Sequence, residues 1–558
     1  MIDSLVSIRD GVLTCIIPEL VYPNDNMVTT LFRKLEQWPQ KEIMVDDRTG
    51  KSWTADQFRT AVSVVAINLV NDFSLVKNDV VCFFCPNWDW VNIGTVAAIA
   101  ADELHKVVSC TKVKFIITTI DKLETAQRVA QESNYLNVSL NAAKCHKSEH
   151  FNNFQTIFVI DSEDEQSLAD SKTYPFSVLL RNPSPKVLEC YTPKRVDQDD
   201  FCVILFSSGT SGLPKPVPRT HKNMLANENC NLYPFDFALA TDIVPVPWGL
   251  FYSSQMKLLI SCLLAGSKIV IFDDTGVQCF CNMIQKYRIN KAVLVPTYIT
   301  QMVRTNVVDG CDLSSLEDVF STGSILTEEI AQEFVNKFKV KFIRQLYGST
   351  EVSTSIMQQK IVFSKEKGLK WFGIPVPGCS VKIIDQKTNV VLGANCIGEL
   401  CSKGPCRMNG FLNMPQENKN AFDDDGYYKT GDAAYYDIHG HIFIVDRFKN
   451  IFKSDGSGVS CAELEKVLLK HPQIKEAKVF PIENERYGEV PRALVVINHG
   501  KLSEADVTDF INDHVAEYKR MHGGVIFVDN IPKSSLGKVS RQALVGILFK
   551  NGVPGIQG

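Results

Sequence analysis

Residues 207–215 are the segment of this sequence with the clearest capacity for chemistry. They read Ser-Ser-Gly-Thr-Ser-Gly-Leu-Pro-Lys and follow an apolar, strand-like run at Phe201–Phe206. The glycines permit close backbone approach, and successive N–H groups with hydroxyls can surround an anion, to which the lysine adds a positive charge. The segment differs from the usual triphosphatase loop, because Leu-Pro separates the second glycine from the lysine. Composition alone would also suit a surface turn, so the order of residues carries the prediction.

Four further segments hold hydroxyl, carboxylate or lysine side chains in compact patterns. Residues 345–351 read Gln-Leu-Tyr-Gly-Ser-Thr-Glu, and residues 428–432 read Tyr-Lys-Thr-Gly-Asp. Residues 446–456 begin Asp-Arg-Phe-Lys and end in glycine, and residues 532–538 end in Gly-Lys. Each segment alone is typical of an ordinary turn or a solvated charge. Their joint occurrence in one chain indicates a site assembled from distant segments.

In this order and at this spacing, the segments resemble the signatures of the acyl-adenylate-forming enzymes. That family includes acyl-CoA synthetases, 4-coumarate–CoA ligases and beetle luciferases. Residues 207–215 resemble its Ser-Gly-Thr-Thr-Gly-x-Pro-Lys loop, residues 345–351 its Gly-Tyr-Gly-x-Thr-Glu element, and residues 428–432 its Thr-Gly-Asp element. The resemblance extends roughly from Met27 to Leu544, which is nearly the whole chain.

The resemblance implies ATP, Mg²⁺ and coenzyme A as the small molecules of the site. It implies Lys538, Thr350 and Glu351 as catalytic residues, with Glu351 and Thr210 holding the metal. Tyr347 is expected to stack on adenine, and Asp432, helped by Arg447, to hold the ribose. The nucleotide-binding and CoA-binding residues that it implies are Ser207, Ser208, Gly209, Thr210, Ser211, Gly212, Lys215, Gly323, Ser324, Tyr347, Asp432, Arg447, Lys453 and Gly456.

The fold class expected from the sequence is α/β. Short apolar runs alternate with helix-like stretches, which favours a fold with much parallel sheet. The resemblance implies a large N-terminal domain, residues 1–446, of stacked mixed sheets flanked by helices. It also implies a small, mobile α+β C-terminal domain, residues 447–558, with its hinge at Lys449. The more polar stretch Ser133–Asp200 is interpreted as surface structure.

The sequence departs from the family pattern at several positions. Pro216 replaces a usual glycine, and Pro245–Leu250 contains no histidine where many relatives have one beside the acyl pocket. Ile325 and Cys461 each replace a common proline. The largest departure lies at Ala100–Asp102, where relatives carry an extra strand and turn. A missing strand would leave a gap or an unpaired edge in one N-terminal sheet.

Composition and charge exclude several classes of protein. The 558 residues carry 59 basic and 63 acidic side chains, a net charge of −4, so no basic excess favours a nucleic-acid binder. No apolar run approaches the roughly 18 residues of a membrane span. No secretory signal or peroxisomal C-terminal tripeptide is visible, so the expectation is a cytoplasmic protein. Its partners would be a small carboxylic acid, ATP and CoA, and the oligomeric state is left open.

Three hypotheses for function remain open at this point. The favoured one is a ligase that joins a fatty or aromatic acid to CoA through an acyl-adenylate. The second is an adenylating enzyme with another acceptor, either in oxidative luciferase-like chemistry or at a carrier-protein thiol. The third is a catalytically weak homologue that acts as a binding protein. The gap near Ala100 motivates the third, and the intact Lys538, Glu351 and Asp432 argue against it.

Overall fold

A computed structural model describes the chain except for fifteen segments. These are residues 1–4, 22–25, 76–79, 101–112, 129–155, 161–172, 190, 192–196, 208–214, 275, 359–372, 455–456, 485–486, 499–500 and 532–558.

The strands are, in chain order, β1 (Val6–Arg9), β2 (Val12–Cys15), β3 (Glu42–Asp46), β4 (Lys51–Thr54), β5 (Val80–Phe84), β6 (Val113–Thr118), β7 (Thr156–Val159), β8 (Thr173–Pro175), β9 (Phe201–Ser207), β10 (Lys215–Thr220), β11 (Ile243–Val246), β12 (Lys268–Ile271), β13 (Lys291–Leu294), β14 (Asp318–Ser321), β15 (Phe342–Ser349), β16 (Ser353–Met357), β17 (Ile374–Pro375), β18 (Ser380–Ile384), β19 (Gly398–Lys403), β20 (Tyr428–Tyr436), β21 (Ile442–Arg447), β22 (Ile451–Ser454), β23 (Ser457–Ser460), β24 (Ile474–Asn484), β25 (Gly488–Ile497) and β26 (Val525–Phe527). The α-helices are α1 (Met27–Leu35), α2 (Ala55–Asn71), α3 (Asp89–Ala100), α4 (Pro185–Glu189), α5 (His221–Leu225), α6 (Ser253–Ala265), α7 (Val277–Tyr287), α8 (Pro296–Arg304), α9 (Glu328–Phe338), α10 (Pro415–Ala421), α11 (Cys461–Leu468) and α12 (Glu504–Asn512).

The first parallel sheet has the order β5-β6-β7-β8 and corrects one prediction. The stretch Ser133–Asp200 was expected to be surface structure, but β7 within it is buried along its whole length. Thr173 and Pro175 of β8 are buried as well. Both strands are short, and polar sequence surrounds them, so the stretch as a whole lacks a strand signal. The expected gap at Ala100–Asp102 reaches into residues that the structure does not describe, and it stays a prediction.

Two further sheets mix parallel and antiparallel pairs. One has the order β11-β12-β3-β4, and the other has the order β13-β14-β15-β16-β17. Helix α6 packs against β11, β12 and β16, so it lies beside both sheets. It is capped by Gly266, which has a φ of +72°, a left-handed conformation that glycine adopts without a side-chain clash. A Cβ there would also lie 2.4 Å from the ring of Trp38.

An antiparallel sheet of order β1-β2-β18-β19-β20-β21 completes the larger part of the chain. Its last strand, β21, ends at Arg447, and the predicted domain boundary at 446/447 falls at this end. The next strand, β22, belongs to a separate sheet of order β23-β22-β25-β24, on which β26 pairs with β25. This second sheet has its own apolar core, formed with α11 and α12 around Leu464, Val495 and Ile511.

The α/β prediction is confirmed in its mixed sheets, flanking helices and separate C-terminal core. The mobility of the C-terminal part stays a prediction. Within the described ranges, no helix combines the length and the apolar character that crossing a bilayer would require.

Candidate active site

Strands β9 and β10 form an antiparallel pair on either side of the segment predicted to bind an anion. Ser207 at the end of β9 pairs with Lys215 at the start of β10. The Lys215 ammonium lies 5.2 Å from the ring centroid of Phe411, a cation–π contact. Leu412 donates its backbone N–H to Pro216 O over 3.1 Å, so residues 411–412 pack against this hairpin. Residues 208–214 lie outside the described part, and their anion-binding role stays a prediction.

The turn that carries Thr350 and Glu351 follows β15 and is held through its backbone carbonyls. Arg219 Nη1 donates to Thr350 O over 3.5 Å and to Glu351 O over 3.3 Å. Met408 donates its backbone N–H to Glu351 O over 2.7 Å. Arg219 is only 2% exposed and lies on β10, so it connects the β9–β10 hairpin to this turn.

Side chains from two helical segments hold the same turn. Ser253 Oγ, at the start of α6, lies 3.4 Å from Thr350 Oγ1. Ser353 Oγ donates to Asn227 Oδ1 over 2.5 Å, and Ser353 has a φ of +56°. That left-handed conformation is uncommon for a residue other than glycine, so these contacts help to fix it. Residues 350–353 are therefore held by four other parts of the chain, at Arg219, Met408, Ser253 and Asn227.

The Glu351 side chain interacts with Tyr428 of β20. Burial and the negative charge of Glu351, to which the Tyr428 hydroxyl is hydrogen-bonded, raise the pKa of Tyr428 above its ordinary value. The phenol therefore stays neutral in the physiological range and can donate its proton to the carboxylate. Phe422 packs edge-on against the Tyr428 ring at 5.7 Å, which limits where the hydroxyl can lie.

Asp432, Tyr347 and Arg447 come together although 85 residues separate the first two. The Tyr347 hydroxyl donates to Asp432 Oδ2 over 2.5 Å, and Arg447 Nε lies 2.9 Å from Asp432 Oδ1. Burial raises the pKa of Asp432, while the Arg447 charge and the Tyr347 hydrogen bond oppose that rise. Arg447 is half exposed, whereas Tyr347 is buried. Adenine stacking by Tyr347 stays a prediction.

The backbone just before Asp432 is fixed by its own hydrogen bonds. Thr430 Oγ1 donates to Leu400 O over 2.8 Å and accepts from Asp432 N over 3.1 Å. Gly431 donates its N–H to Glu399 Oε1 over 2.9 Å and has a φ of +71°. Glycine tolerates that conformation, which side-chain-bearing residues rarely adopt. The Thr-Gly-Asp order therefore has a local structural reason, because it orients the carboxylate of Asp432.

Gly323 and Ser324 lie in the exposed turn after β14. Strands β13, β14 and β15 are parallel and in register, with Leu294, Ser321 and Gln345 side by side. The turn therefore lies at the carboxyl edge of these strands, where open α/β sheets bind their ligands. Leu326, just beyond the turn, donates its N–H to Gln345 Oε1 over 3.1 Å, which links it to the strand that leads to Tyr347.

The segment Pro245–Leu250, expected to lie beside an acyl pocket, contacts helix α8. The Trp248 ring packs edge-on against Tyr298 of α8, with centroids 5.8 Å apart, and Trp248 is 5% exposed. Phe251, by contrast, is 63% exposed. A Cβ on Gly249 would lie 2.3 Å from the Phe251 ring, so this glycine lets the exposed ring lie close to the backbone.

The hinge segment is a 3₁₀ turn, Phe448–Asn450, between β21 and β22. Asp446 holds both sides of it. Its Oδ1 accepts from Arg447 N over 2.7 Å and from Asn450 Nδ2 over 2.9 Å. Its Oδ2 accepts from Ser460 Oγ over 2.8 Å and from Ala462 N over 3.0 Å. One buried carboxylate thus joins β21 to the first turn of α11.

The structure brings together Thr350, Glu351, Tyr347, Asp432 and Arg447, and it describes only part of the remaining set. The backbones of Lys449 and Lys453 are described, but their side chains are not. The predicted residues outside the described ranges are Ser208, Gly209, Thr210, Ser211, Gly212, Gly456 and Lys538.

Sequence reasoning assigned no role to three side chains that hold the site: Arg219, Ser253 and Tyr428. An arginine in the strand Lys-Pro-Val-Pro-Arg-Thr is the one signal that a reader of the sequence could have followed, because buried cations are rare without a purpose. The other two are a serine and a tyrosine in unremarkable surroundings.

Two family profiles match this chain. That of the AMP-binding enzymes matches residues 31–412. That of the AMP-binding enzyme C-terminal domain matches residues 463–538.

Individual proteins match over much or nearly all of the chain. The luciferin 4-monooxygenase of Photinus pyralis is 33% identical over 71% of this chain and 72% of its own. The 4-coumarate–CoA ligase 2 of Petroselinum crispum is 29% identical over 99% of both chains. Among solved structures, an anthranilate CoA ligase, AuaEII, in complex with anthranoyl-AMP superposes with a TM-score of 0.81. It covers 95% of this chain and 99% of its own at 18% identity, so this likeness shows the fold.

Proposed function

Since the chain belongs to the AMP-binding enzyme family, we propose that it is an ATP-dependent carboxylic acid–CoA ligase. The favoured substrates are a small organic acid, ATP and CoA, and the products are an acyl-CoA thioester, AMP and pyrophosphate. CoA ligases are among its relatives, with the parsley enzyme matching along the full length. The observation that carries the proposal is the Asp432–Tyr347–Arg447 group beside Glu351.

The first step makes the acid reactive. A carboxylate oxygen attacks the α-phosphorus of ATP, the bond from that phosphorus to the bridging oxygen breaks, and pyrophosphate leaves with the electron pair. Two anions must meet, so the site has to supply positive charge between them. Lys538 is proposed to supply it at the reacting oxygens, while Lys215 and the 207–215 segment hold the outer phosphates.

Nucleotide binding is assigned to groups whose geometry suits it. The Asp432 carboxylate keeps accepting capacity beyond its Tyr347 and Arg447 contacts, because two carboxylate oxygens offer about four lone pairs. It can therefore accept ribose hydroxyls without giving up either partner. Gly323 and Ser324 lie in the turn at the carboxyl edge of β13–β15, where they would border the adenine.

The oxygen ligands that the site offers suit a Mg²⁺ ion that binds together with ATP. Mg²⁺ is usually held by one or two carboxylates together with substrate phosphates, and Glu351 offers one half-buried carboxylate. Across the described ranges, no group of three or more histidine, cysteine, aspartate or glutamate side chains could form a protein-only metal site. Glu351, with Thr210, would hold the ion, which when bound neutralises phosphate charge.

The second step transfers the acyl group to sulfur. The thiol attacks the carbonyl carbon of the acyl-adenylate, the mixed anhydride bond breaks, and AMP leaves. We assign the hinge to Lys449, where a rotation would exchange the groups that face the nucleotide between the two steps. Gly456 is assigned to the pantetheine path, and Lys453 to the same segment.

Two other functions remain as alternatives. Adenylation followed by oxidation has a relative in its favour, because the Photinus luciferin 4-monooxygenase is 33% identical. Transfer to a carrier-protein thiol would use the same first step. A weak homologue that only binds ligands is disfavoured by the assembled Asp432 and Glu351 groups. Both enzymes would form an acyl-adenylate and release pyrophosphate, whereas a protein that only binds ligands would not. Measuring the first step alone therefore separates the binding protein from the enzymes.

The deciding experiment measures pyrophosphate release with ATP, Mg²⁺ and a panel of carboxylic acids, and then AMP release on adding CoA. Acid-dependent pyrophosphate release with CoA-dependent AMP release is expected. Pyrophosphate without CoA-dependent AMP points to another acceptor, and no pyrophosphate with any acid rejects the enzyme.

Lys538→Ala tests the assigned cation. Losing one preorganised charge typically lowers a rate by about 10²–10³-fold, so adenylation should fall by that much. Thioester formation from supplied acyl-adenylate should remain near normal. Lys501→Ala is the matched control, since it removes a lysine from the same C-terminal part without an assigned role. Near-normal pyrophosphate release by Lys538→Ala would contradict the assignment.

A further inference from the structure

Lys257 is a buried ammonium group without a carboxylate partner in the described part of the chain. It lies on α6 and is 5% exposed. Its Nζ donates to Thr354 Oγ1, lies 3.5 Å from Cys230 Sγ and stands 4.2 Å from the ring centroid of Phe237. All three partners are buried. A hydroxyl, a thiol and a ring face neutralise no charge.

Two other buried lysines of this protein, Lys291 and Lys382, are paired with carboxylates. Lys291 is 2% exposed and its Nζ lies 2.6 Å from Asp242 Oδ2. Lys382 is 5% exposed and lies 2.8 Å from Asp423 Oδ2 and from Asp425 Oδ2. Burying an unpaired charge costs several kcal/mol. Lys257 is therefore expected to serve an anion that the described part of the chain does not provide.

The position of Lys257 indicates which anion. Ser253 and Lys257 lie four residues apart on α6, and residues at that spacing lie on the same helix face, roughly 5–6 Å apart at Cβ. Ser253 Oγ contacts Thr350 and Lys257 Nζ contacts Thr354, so this face runs along the chain from Thr350 into β16. At one end is the turn where the proposed reaction takes place, and at the other is the ammonium.

We propose that Lys257 binds a second anionic group on the acid substrate, so that the enzyme prefers dicarboxylic acids to matched monocarboxylic acids. This inference rests on the proposed function. One carboxylate reacts beside Thr350 and Glu351, and the far carboxylate pairs with the Lys257 ammonium. A linear acid with a short chain between its two carboxylates has the required shape.

The first test compares substrates on the unaltered full-length enzyme. Pyrophosphate release is measured with butanedioate, pentanedioate, hexanedioate and octanedioate, and with the monocarboxylic acids of equal chain length. Monomethyl hexanedioate keeps the length and removes one charge. Hydrogen bonds to charged groups are worth about 1.5–3 kcal/mol, so kcat/KM for the best diacid should exceed that of its matched monoacid or monoester by about 10- to 100-fold. Equal or lower values for all diacids overturn the proposal.

The second test uses variants at Lys257. Lys257→Met, which keeps the length and removes the charge, should abolish the preference, whereas Lys257→Arg should keep it. Lys337→Met is the control, because Lys337 is an exposed helical lysine that lies over the Phe338 ring and whose partners in the described part of the chain are likewise neutral, the carbonyls of Met302, Val303 and Thr305. An unchanged ratio of kcat/KM for diacid to kcat/KM for monoacid in a folded Lys257→Met enzyme overturns the proposal. If that variant does not fold, the comparison of acids on the unaltered enzyme decides the question.

Calorimetric titration with hexanedioate in the absence of ATP separates this proposal from the proposed function. Binding that weakens about 10- to 100-fold in Lys257→Met, but not in Lys337→Met, supports an anion site even if no acid yields pyrophosphate. Active adenylation of monoacids, with no binding of diacids at Lys257, rejects only the present inference.

Discussion

At the residue scale, the site depends on contacts between side chains that lie far apart in the chain. Glu351 is fixed by Arg219 and Met408 through its carbonyl and meets Tyr428 through its carboxylate. None of these partners belongs to the residues for which the sequence predicted a role. The carboxylate is thus oriented before any ligand arrives, which is how electrostatic catalysis avoids reorganisation during the reaction.

Tyr428→Phe tests that orientation. The variant removes one hydroxyl and keeps the ring that packs on Phe422. Because a hydrogen bond to a charged group is lost, we expect the kcat/KM for ATP in adenylation to fall by about tenfold and the Mg²⁺ concentration for half-maximal rate to rise. Pyrophosphate release at varied Mg²⁺ measures both.

Tyr427→Phe is the matched control for this prediction. Tyr427 is the preceding residue, and its hydroxyl lies 3.0 Å from Ser380 Oγ rather than at the site. Its loss should leave both parameters unchanged. Thioester formation from supplied acyl-adenylate should be normal in both variants. If the two variants also show the same kcat/KM for ATP and the same Mg²⁺ requirement, Tyr428 does not position Glu351.

Candidate catalytic and binding residues could be identified from the sequence more readily than the residues that hold them in position. The pairing of Asp432 with Arg447 followed from two recognisable segments, and the structure brings them within 2.9 Å. Lys257 and Arg219 lie outside every segment that was recognisable in the sequence. Their partners lie 97 and 131 residues away in the chain, and only the packing of helix and strand brings them together.

At the element scale, apolar runs predicted positions well and boundaries less well. The apolar run at Lys268–Phe272 forms a strand over Lys268–Ile271, whereas the shorter run at Ala477–Phe480 lies within a strand that extends over Ile474–Asn484. The extension includes charged residues, Glu476 and Glu483 among them, and antiparallel pairing with β25 holds it in place. Pairing between strands, not local propensity, decides where such a strand ends.

The element that connects the two parts of the chain is held by Asp446. Asp446→Asn would replace a carboxylate oxygen by an amide nitrogen, which cannot accept from the two donors that face it. An unsatisfied buried donor costs about 1–3 kcal/mol. We therefore expect backbone amides in the first turn of α11, Ala462 included, to exchange hydrogen about 10- to 100-fold faster.

Hydrogen-exchange mass spectrometry of peptides from residues 457–470 measures this effect. Asp385→Asn is the control, because Asp385 also accepts several bonds, from Lys387 and Thr388, but in an exposed turn. It should leave α11 unchanged. Equal protection of α11 in Asp446→Asn and the unaltered protein would show that this carboxylate does not hold the helix.

At the scale of the whole molecule, the sheet of β22–β26 and the antiparallel sheet that ends with β21 are separate and joined through Phe448–Asn450. The recognisable segments predicted the order of these parts along the chain. They could not predict β7 and β8, since those strands are three or four residues long and become strands only through their neighbours in the sheet. The order of the two parts of the chain could therefore be predicted from the motifs, whereas short buried strands such as β7 and β8 depend on packing against their neighbours.

The turn Phe448–Asn450 gives a prediction about both half-reactions of the proposed enzyme. The side chains that the structure describes and that are assigned to ATP binding all precede Lys449 in the chain; they are Lys215, Tyr347 and Asp432. The segments assigned to CoA binding follow Lys449. Lys449→Pro fixes φ near −65° and restricts Phe448 before it. Backbone freedom is lost at the turn, while the groups before Lys449 that are assigned to ATP stay in place. Adenylation should survive, and thioester formation should fall by about 10²-fold, the cost of small misplacement of reacting groups.

Single-turnover assays of each half-reaction, one with ATP and acid and one with supplied acyl-adenylate and CoA, measure the two effects separately. Lys449→Ala is the control, because it removes the side chain and leaves the backbone free, so both half-reactions should stay close to normal. A loss of thioester formation in the alanine variant would assign the effect to the side chain instead of the hinge. Equal losses of both half-reactions in Lys449→Pro would indicate misfolding, and a melting curve distinguishes that outcome. Two normal half-reactions in the proline variant would place the rotation elsewhere or remove it from the mechanism.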